Sequence, residues 1–232
     1  MHQFSPIVNS SDPITLVGGG EATPQDLQKA LTLAPVCVAA DGGARLALRA
    51  GVTPTAVIGD FDSVLEDDLA RIPAERRHHI SEQDSTDFEK ALTRIHAPVV
   101  LGVGFLGNRS DHHLAALHVI AAHPDRPCIL IGREELICLA PREISLPTRK
   151  GDVVSLFPMG QVEGQSTGLA WPINGLQFDP MSKIGTSNHA LGPMTLRMES
   201  AAMLLILPRR LMPQLVSALG QSSAVRWPAR AE

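Results

Sequence analysis

The strongest constraint on the fold is an alternation, between Ile14 and about Ala140, of short apolar runs with segments of helical period. Gly, Asp or Pro bounds each run, as is typical of buried parallel strands. The runs are Ile14–Val17, Val36–Ala39, Ala56–Ile58, Val99–Val103 and Ile129–Ile131. Two helical stripes lie between them, Leu27, Ala30, Leu31, Ala34 and Phe88, Ala91, Leu92, Ile95. The pattern predicts βαβ units, a parallel sheet with helices on both faces, and a ligand site at the carboxyl ends of the strands.

The sequence pattern changes after Pro141, where short strand-like segments are separated by Gly, Pro, Ser and Asn. The segments are Ile144–Leu146, Val153–Phe157, Gly168–Trp171, Met194–Met198 and Met203–Leu207. Beyond Pro208, apolar residues at helical spacing predict a terminal helix: Leu211, Leu215, Val216 and Leu219. We therefore predict an α/β protein with a parallel-sheet, Rossmann-like domain at residues 1–140. An all-β sandwich domain with a short C-terminal extension is predicted at residues 141–232.

Composition excludes several classes of protein. A net charge of −4 and a pI near 6.1 argue against binding to duplex DNA, and 3% aromatic residues argue against a stacking platform for single-stranded nucleic acid. Three widely spaced cysteines without a Cys-x-x-Cys pair indicate neither a disulfide framework nor a zinc ribbon. The apolar runs are too short to span a bilayer. We expect a soluble, cytoplasmic protein that binds neither nucleic acid nor membrane.

Acidic residues follow two of the predicted strands. Asp41 comes after Val36–Ala39, and Asp60 and Asp62 come after Ala56–Ile58. Each taken singly also fits a turn or a helix cap. Since the carboxyl ends of parallel strands lie at one edge of the sheet, we expect the carboxylates to converge there. Gathered carboxylates favour a hard cation, Mg²⁺ before Ca²⁺ if phosphate is the other ligand.

A third polar segment, Gln83–Lys90, opens the helix whose stripe begins at Phe88. In the structural interpretation Asp84 is the N-cap, and Asp87 with Lys90 is a surface i, i+3 pair. In the functional interpretation Asp87 binds the metal or a substrate hydroxyl, and Lys90 is a point charge for phosphate.

Glycine turns follow two other predicted strands, at Gly18-Gly19-Gly20 and at Gly104–Gly107. Such turns expose backbone N–H groups to phosphate. Near the second turn, Arg109 is suited to binding phosphate, and Asp111 to binding a metal ion or capping a helix. The neighbouring His112 and His113 lack a zinc-site spacing. There is no P-loop and no protein-kinase motif. The inventory suits metal-assisted transfer of a phosphoryl or diphosphoryl group.

Taken together, these segments resemble the thiamine pyrophosphokinase family. The matching motifs are Ala40-Asp41-Gly42-Gly43-Ala44, Gly59-Asp60-Phe61-Asp62-Ser63, Gln83-Asp84-Ser85-Thr86-Asp87-Phe88-Glu89-Lys90-Ala91-Leu92, Gly107-Asn108-Arg109-Ser110-Asp111-His112, Thr167-Gly168-Leu169-Ala170-Trp171 and Thr186-Ser187-Asn188. Six short motifs in order, as far as about Leu207, make a specific resemblance.

The resemblance implies transfer of diphosphate from ATP to the hydroxyl of thiamine, with release of AMP, dependence on Mg²⁺, and a homodimer with sites between subunits. The metal positions it implies are Asp41, Asp60, Asp62 and Asp87. The other catalytic positions are Lys90 and Arg109. The ATP-binding positions are Gly18, Gly19, Gly20, Asp41, Gly42, Gly43, Arg109 and Asp111. The thiamine-site positions are Gln83, Thr86, Trp171, Ser187 and Asn188, with Trp171 covering the thiamine ring.

Three features depart from the family pattern: Asn108 replaces a glycine, Glu82 replaces an aspartate, and the segment from Pro208 has no recognised counterpart. Two other functions stay open. One is a diphosphokinase for another hydroxyalkyl heterocycle, such as a pterin, and the other is a non-catalytic thiamine or nucleotide sensor. Trp171 with Ser187 and Asn188 favours thiamine over a pterin, and the intact set of Asp60, Asp62 and Lys90 favours an enzyme.

Overall fold

A computed structural model describes residues 5–107, 109–220 and 226–230. By packing, the chain divides into two units, one up to Val119 and one from Ile120. Among the described residues, no helix combines the length and the apolar character that crossing a membrane requires.

In the N-terminal unit, five strands pair in parallel in one sheet, and two short strands, Val8–Asn9 and Ile95–His96, pair in parallel in a separate sheet. The elements are β1 (Val8–Asn9), β2 (Ile14–Val17), α1 (Pro24–Leu31), β3 (Val36–Ala40), α2 (Gly43–Arg49), β4 (Ala56–Gly59), α3 (Glu66–Ala70), a 3₁₀ turn (Ala74–Arg76), β5 (Arg77–His79), α4 (Asp87–Thr93), β6 (Ile95–His96), β7 (Val100–Val103) and α5 (Ser110–Ala122). The strand order is β7-β2-β3-β4-β5, so the winding reverses at β2. In an open sheet such a reversal marks a ligand site at the carboxyl ends of the strands.

Local sequence accounts for these elements. Strands β2, β4 and β7 are buried at every position, which is why their sequences are continuous apolar runs. Helix α1 begins with a capping box between Thr23 and Asp26, and Pro24 occupies its first turn.

The strand pairs described within the C-terminal unit are antiparallel. The elements are β8 (Cys128–Ile131), β9 (Glu135–Leu139), β10 (Glu143–Leu146), β11 (Val153–Pro158), β12 (Val162–Leu169), β13 (Gln177–Phe178), β14 (Gly185–Met198), β15 (Met203–Pro208), a 3₁₀ turn (Arg209–Leu211) and α6 (Met212–Gly220). The strand order is β8-β9-β15-β11-β14-β12-β13, and β10 also pairs with β14. The long β14 meets β11 through its first half and β10 through its second half.

The predicted α/β class is confirmed, and each predicted N-terminal strand is present within about one residue. The run Ile129–Ile131 pairs antiparallel with β9, a strand that the sequence analysis did not predict. The predicted strand Gly168–Trp171 is wrong, because β12 ends at Leu169 after a register shift at Gly168, whose φ is +76°. The predicted terminal helix is present as α6.

The packing units divide between residues 119 and 120, whereas the predicted domains divide between 140 and 141. Strands β8 and β9 pack with the C-terminal unit because β9 pairs with β15 along its whole length. The predicted boundary stays a prediction about which segments bind nucleotide and which bind thiamine.

Candidate active site

Three carboxylates meet at the carboxyl edge of the parallel sheet. Asp41 follows β3, Asp60 follows β4, and Asp87 is the first residue of α4. One ligand oxygen from each lies within 4.8 Å of the others. We call these three residues the acidic cluster. Asp62, predicted alongside them, is exposed and accepts a hydrogen bond from the Ser63 hydroxyl at 2.8 Å.

Lys90 provides the positive charge of this cluster. Its Nζ lies 2.8 Å from Asp60 Oδ2 and 3.2 Å from Asp87 Oδ1. The side chain is only 2% exposed, so the interpretation of Asp87 and Lys90 as a surface pair is wrong. A buried ammonium needs such partners because desolvating an unpaired charge is costly.

The environment of each carboxylate differs. Burial raises the pKa of Asp41 and of Asp87 above the usual aspartate range, despite the lowering effect of Lys90 on Asp87. The hydrogen bond from Lys90 lowers the pKa of Asp60. Burial alone would lower the pKa of Lys90, but its bonds to Asp60 and Asp87 raise that pKa overall. The lysine therefore stays charged at neutral pH.

Asp41 has an acceptor that the surrounding protein leaves unsatisfied. Its Oδ2 accepts the Ser63 backbone N–H at 3.1 Å. Its Oδ1 is buried and has no hydrogen-bond partner among the described residues. A Cβ at Gly59 would lie 2.8 Å from Asp41 Cβ, so glycine is needed for this close approach. A buried, unpaired carboxylate oxygen beside two other carboxylates fits a divalent cation.

The glycine turns pack closely against one another at the reversal of the sheet. Gly20 N–H donates to the Gly104 carbonyl at 2.9 Å, and a Cβ at Gly18 would lie 2.7 Å from the same oxygen. A Cβ at Gly43 would lie 2.0 Å from the Val17 carbonyl. Backbone packing therefore explains Gly18, Gly20 and Gly43. Contact with phosphate stays a prediction for these three glycines and for Gly19 and Gly42.

The loop before α4 is organised by Glu82. Its carboxylate accepts the backbone N–H groups of Asp84 (2.9 Å) and Ser85 (3.1 Å), as well as the Ser85 hydroxyl. Gln83 then donates its amide to Asp60 Oδ2 at 3.1 Å. The predicted N-cap Asp84 is wrong, because the Thr86 hydroxyl caps the helix by accepting Glu89 N–H at 3.3 Å.

Arg109 and Asp111 pair with each other, with Nη2 and Oδ2 2.6 Å apart. Both side chains are exposed, and the arginine lowers the pKa of Asp111 to about 2. Asn108 lies outside the described residues. His112 is exposed, and neither it nor His113 belongs to a metal-ligating cluster among the described residues.

A second polar cluster lies in the C-terminal unit, beyond the end of β12. Trp171 is 60% exposed, and the His189 ring lies nearly perpendicular to its indole, with 5.0 Å between the ring centroids. Asn188 is buried and bonds to the backbone of Trp171 through both ends of its amide. Ser187 N–H donates to the Ser155 hydroxyl at 2.9 Å. Trp171 is thus a surface residue whose backbone is held by hydrogen bonds.

Backbone strain falls on the predicted motifs. The non-glycine residues with positive φ among those described are Asp41 (41°), Phe61 (65°) and Ser187 (63°). Strain of this kind concentrates at functional sites, since the surrounding structure must hold it. All three belong to motifs on which the family resemblance rests.

Sequence reasoning missed three residues of these clusters. The role of Glu82 could have been predicted, because a carboxylate just before a loop often accepts hydrogen bonds from the backbone N–H groups that follow it. Ser63 acts through its backbone, and His189 reaches Trp171 only through the pairing of β12 with β14. Neither of these contacts leaves a local sequence signal.

Fold and clusters together define an α/β protein with three converging carboxylates, a group that could hold a metal ion, at the carboxyl edge of its parallel sheet. Residues 27–130 match the family model "Thiamin pyrophosphokinase, catalytic domain", and residues 142–202 match "Thiamin pyrophosphokinase, vitamin B1 binding domain". The chain belongs to the thiamin pyrophosphokinase family.

Individual relatives agree with the family models. Thiamine pyrophosphokinase 2 of Oryza sativa subsp. japonica is 27% identical over 81% of this chain and 82% of its own length. Thiamine pyrophosphokinase 1 of Arabidopsis thaliana is 29% identical over 62% of this chain, a match that spans only 61% of the relative's length. The crystal structure of thiamin pyrophosphokinase from Geobacillus thermodenitrificans superposes with a TM-score of 0.71 at 23% identity, over 84% of this chain and 97% of that one. The last similarity establishes the fold alone.

Proposed function

We propose that this protein transfers diphosphate from ATP to the hydroxyl of thiamine, giving thiamine diphosphate and AMP. The observation that carries the proposal is the convergence of Asp41, Asp60 and Asp87 around the buried Lys90. In this proposal the N-terminal unit is a Rossmann-like nucleotide domain, and the C-terminal unit is a β-sandwich domain that binds thiamine.

The acidic cluster fits Mg²⁺, since it offers only oxygen ligands and includes the unpaired Asp41 Oδ1. Asp41, Asp60 and Asp87 would hold the ion, and Asp62 next to them is a further candidate. When bound, Mg²⁺ neutralises charge on the phosphate oxygens.

The chain's own residues supply alignment and charge. Lys90 fixes the Asp60 and Asp87 carboxylates, and its ammonium has a third donor for a phosphate oxygen. Asp87, half-buried beside Lys90, orients the thiamine hydroxyl or accepts its proton. Gln83 and Thr86 line the same cleft, and Arg109 with Asp111 contacts ATP.

Thiamine is favoured over a pterin by the C-terminal cluster. The exposed indole of Trp171 offers a face for a cationic heterocycle, which an aromatic ring attracts through its quadrupole. A non-catalytic sensor is disfavoured because the acidic cluster and Lys90 are complete.

The proposal includes a homodimer with each site shared between two chains. Apolar side chains on the C-terminal unit, Val153, Trp171 and Leu191, are each more than half exposed, which suits burial by a second chain. A cytoplasmic location is proposed because Cys37, Cys128 and Cys138 are buried free thiols, which suit a reducing compartment.

The test is product analysis by chromatography after incubation with ATP, with and without thiamine and Mg²⁺. We expect AMP and thiamine diphosphate in equal amounts, and only when ATP, thiamine and Mg²⁺ are all present. ADP as the nucleotide product would contradict the proposal, because it indicates transfer of a single phosphoryl group.

Carboxylate variants extend the same assay. Asp60→Asn and Asp62→Asn should each lower kcat by about 10²–10³-fold, as loss of a charge-stabilising group does. Asp68→Asn is the matched control, since Asp68 is paired with Arg71 on α3. An Asp62→Asn protein with activity within a few-fold of wild type would assign Asp62 to the turn alone.

A further inference from the structure

The side chain of Asn188 makes three hydrogen bonds within the protein, which leave one of its amide hydrogens unassigned. Its Oδ1 accepts the backbone N–H groups of Trp171 (3.1 Å) and His189 (2.9 Å), and its Nδ2 donates to the Trp171 carbonyl at 2.6 Å. An amide oxygen has two lone pairs, so its accepting capacity is used. The residue is 6% exposed, whereas Trp171 is 60% exposed.

The position of Trp171 explains why these bonds are needed. Ladder pairing of β12 ends at Leu169, and the last backbone bond in this stretch runs from Ala170 N–H to the His189 carbonyl at 2.9 Å. Beyond it, the amide of Asn188 binds both polar groups of the Trp171 backbone. The His189 ring packs against the indole at an interplanar angle of 84°.

We propose that Asn188 is a positioning residue that holds the Trp171 indole in place for the substrate ring and does not itself bind substrate. The inference rests on the proposed function, with thiamine as the ligand. It narrows the role of Asn188, a predicted thiamine-site position, to that of a residue that acts only through Trp171.

Trp171 can report on its own position. The chain has two tryptophans, and Trp227 is buried, so Trp227→Phe leaves the exposed Trp171 as the sole indole fluorophore. In this background Asn188→Ala should shift the emission to longer wavelength and increase quenching by acrylamide. Thiamine Kd, measured by quenching of the same emission, should rise about tenfold, within the range for loss of an aromatic contact.

Kinetics separate positioning from direct contact. Asn188→Ala should raise the KM for thiamine about tenfold while kcat and the KM for ATP stay within about threefold, because the acidic cluster is untouched. In a Trp171→Ala background, adding Asn188→Ala should change the thiamine KM by less than about twofold. A direct substrate contact predicts that the two effects multiply, and that result would overturn the inference.

Asn188→Asp covers the case in which the alanine variant fails to fold. It is nearly isosteric and keeps both acceptor bonds, but it replaces the donor to the Trp171 carbonyl with a carboxylate oxygen that repels it, so we expect the same changes in emission and KM. Gln177→Ala is the matched control, because it removes an amide bonded to Glu163 on β12 and should leave emission and KM unchanged. Unchanged emission and KM in a folded Asn188 variant would overturn the inference alone. Failure of the wild-type protein to bind or convert thiamine would instead overturn the proposed function.

Discussion

Lys90 shows how a single side chain can be assigned incorrectly from its spacing alone. Three residues after Asp87 on α4, it has the spacing of an ordinary surface pair. The helix turns this face inward, and Lys90 becomes almost fully buried between Asp60 and Asp87. Its charge therefore offsets part of the negative charge of the acidic cluster.

Replacing Lys90 with methionine should destabilise the metal-free protein. The change leaves three neighbouring carboxylates without a cation, and losing one partner of a buried pair costs about 3 kcal/mol. Thermal unfolding should show a lower Tm, and added Mg²⁺ should raise the Tm of the variant more than that of wild type, because the ion then supplies the missing charge.

Lys29→Met serves as the control, since Lys29 is exposed on α1. Turnover of Lys90→Met should also fall by at least tenfold, as expected when a phosphate-binding charge is removed. If added Mg²⁺ raises the Tm of Lys90→Met and of wild type equally, Lys90 does not offset the negative charge of the acidic cluster.

At the scale of elements, strand ends and the loop before α4 bring the acidic cluster together. Strands β3 and β4 are each followed directly by an aspartate of the cluster, and α4 begins at its third aspartate, Asp87. The ends of these strands could be predicted from the sequence, because a parallel strand that is buried on both faces is a continuous apolar run and stops where the run stops. The loop could not, since its shape depends on the Glu82 carboxylate bonding to the backbone of Asp84 and Ser85.

Removing that carboxylate should loosen the loop. Glu82→Ala should cost about 1–2 kcal/mol of unfolding free energy, because two backbone donors lose their partner. Hydrogen exchange should become faster at Asp84 and Ser85, and kcat should fall about tenfold as Asp87 loses its fixed position.

Glu75→Ala is the control variant for Glu82→Ala, because Glu75 is an exposed glutamate in the 3₁₀ turn. If exchange at Asp84 and Ser85 stays at the wild-type rate in Glu82→Ala, the loop is held by other contacts.

For the molecule as a whole, the shared-site homodimer leads to a complementation experiment. At a thiamine concentration well below the raised KM of Trp171→Ala, Asp60→Asn and Trp171→Ala should each retain only a small fraction of wild-type activity. Mixed in equal amounts with subunit exchange, half of the dimers are heterodimers with one intact site of two, so about a quarter of wild-type activity should return.

Subunit exchange must be demonstrated separately, for example by mass spectrometry of differently tagged chains. Exchange without recovered activity would show that each site is formed within a single chain.

Short segments of the sequence predicted the α/β class, the strand ends that carry the acidic cluster, and the terminal helix α6. These features are encoded locally, by apolar runs, by the residue that follows each run, and by helical periodicity. Tertiary structure alone decided the burial of Lys90, the antiparallel pairing of β8 with β9, and the end of β12 at Leu169. It also decided that Asn188 bonds to the Trp171 backbone. The physical reason is that burial, strand pairing and side-chain bonds over 17 residues or more depend on which segments pack together, and no short window of sequence records those partners.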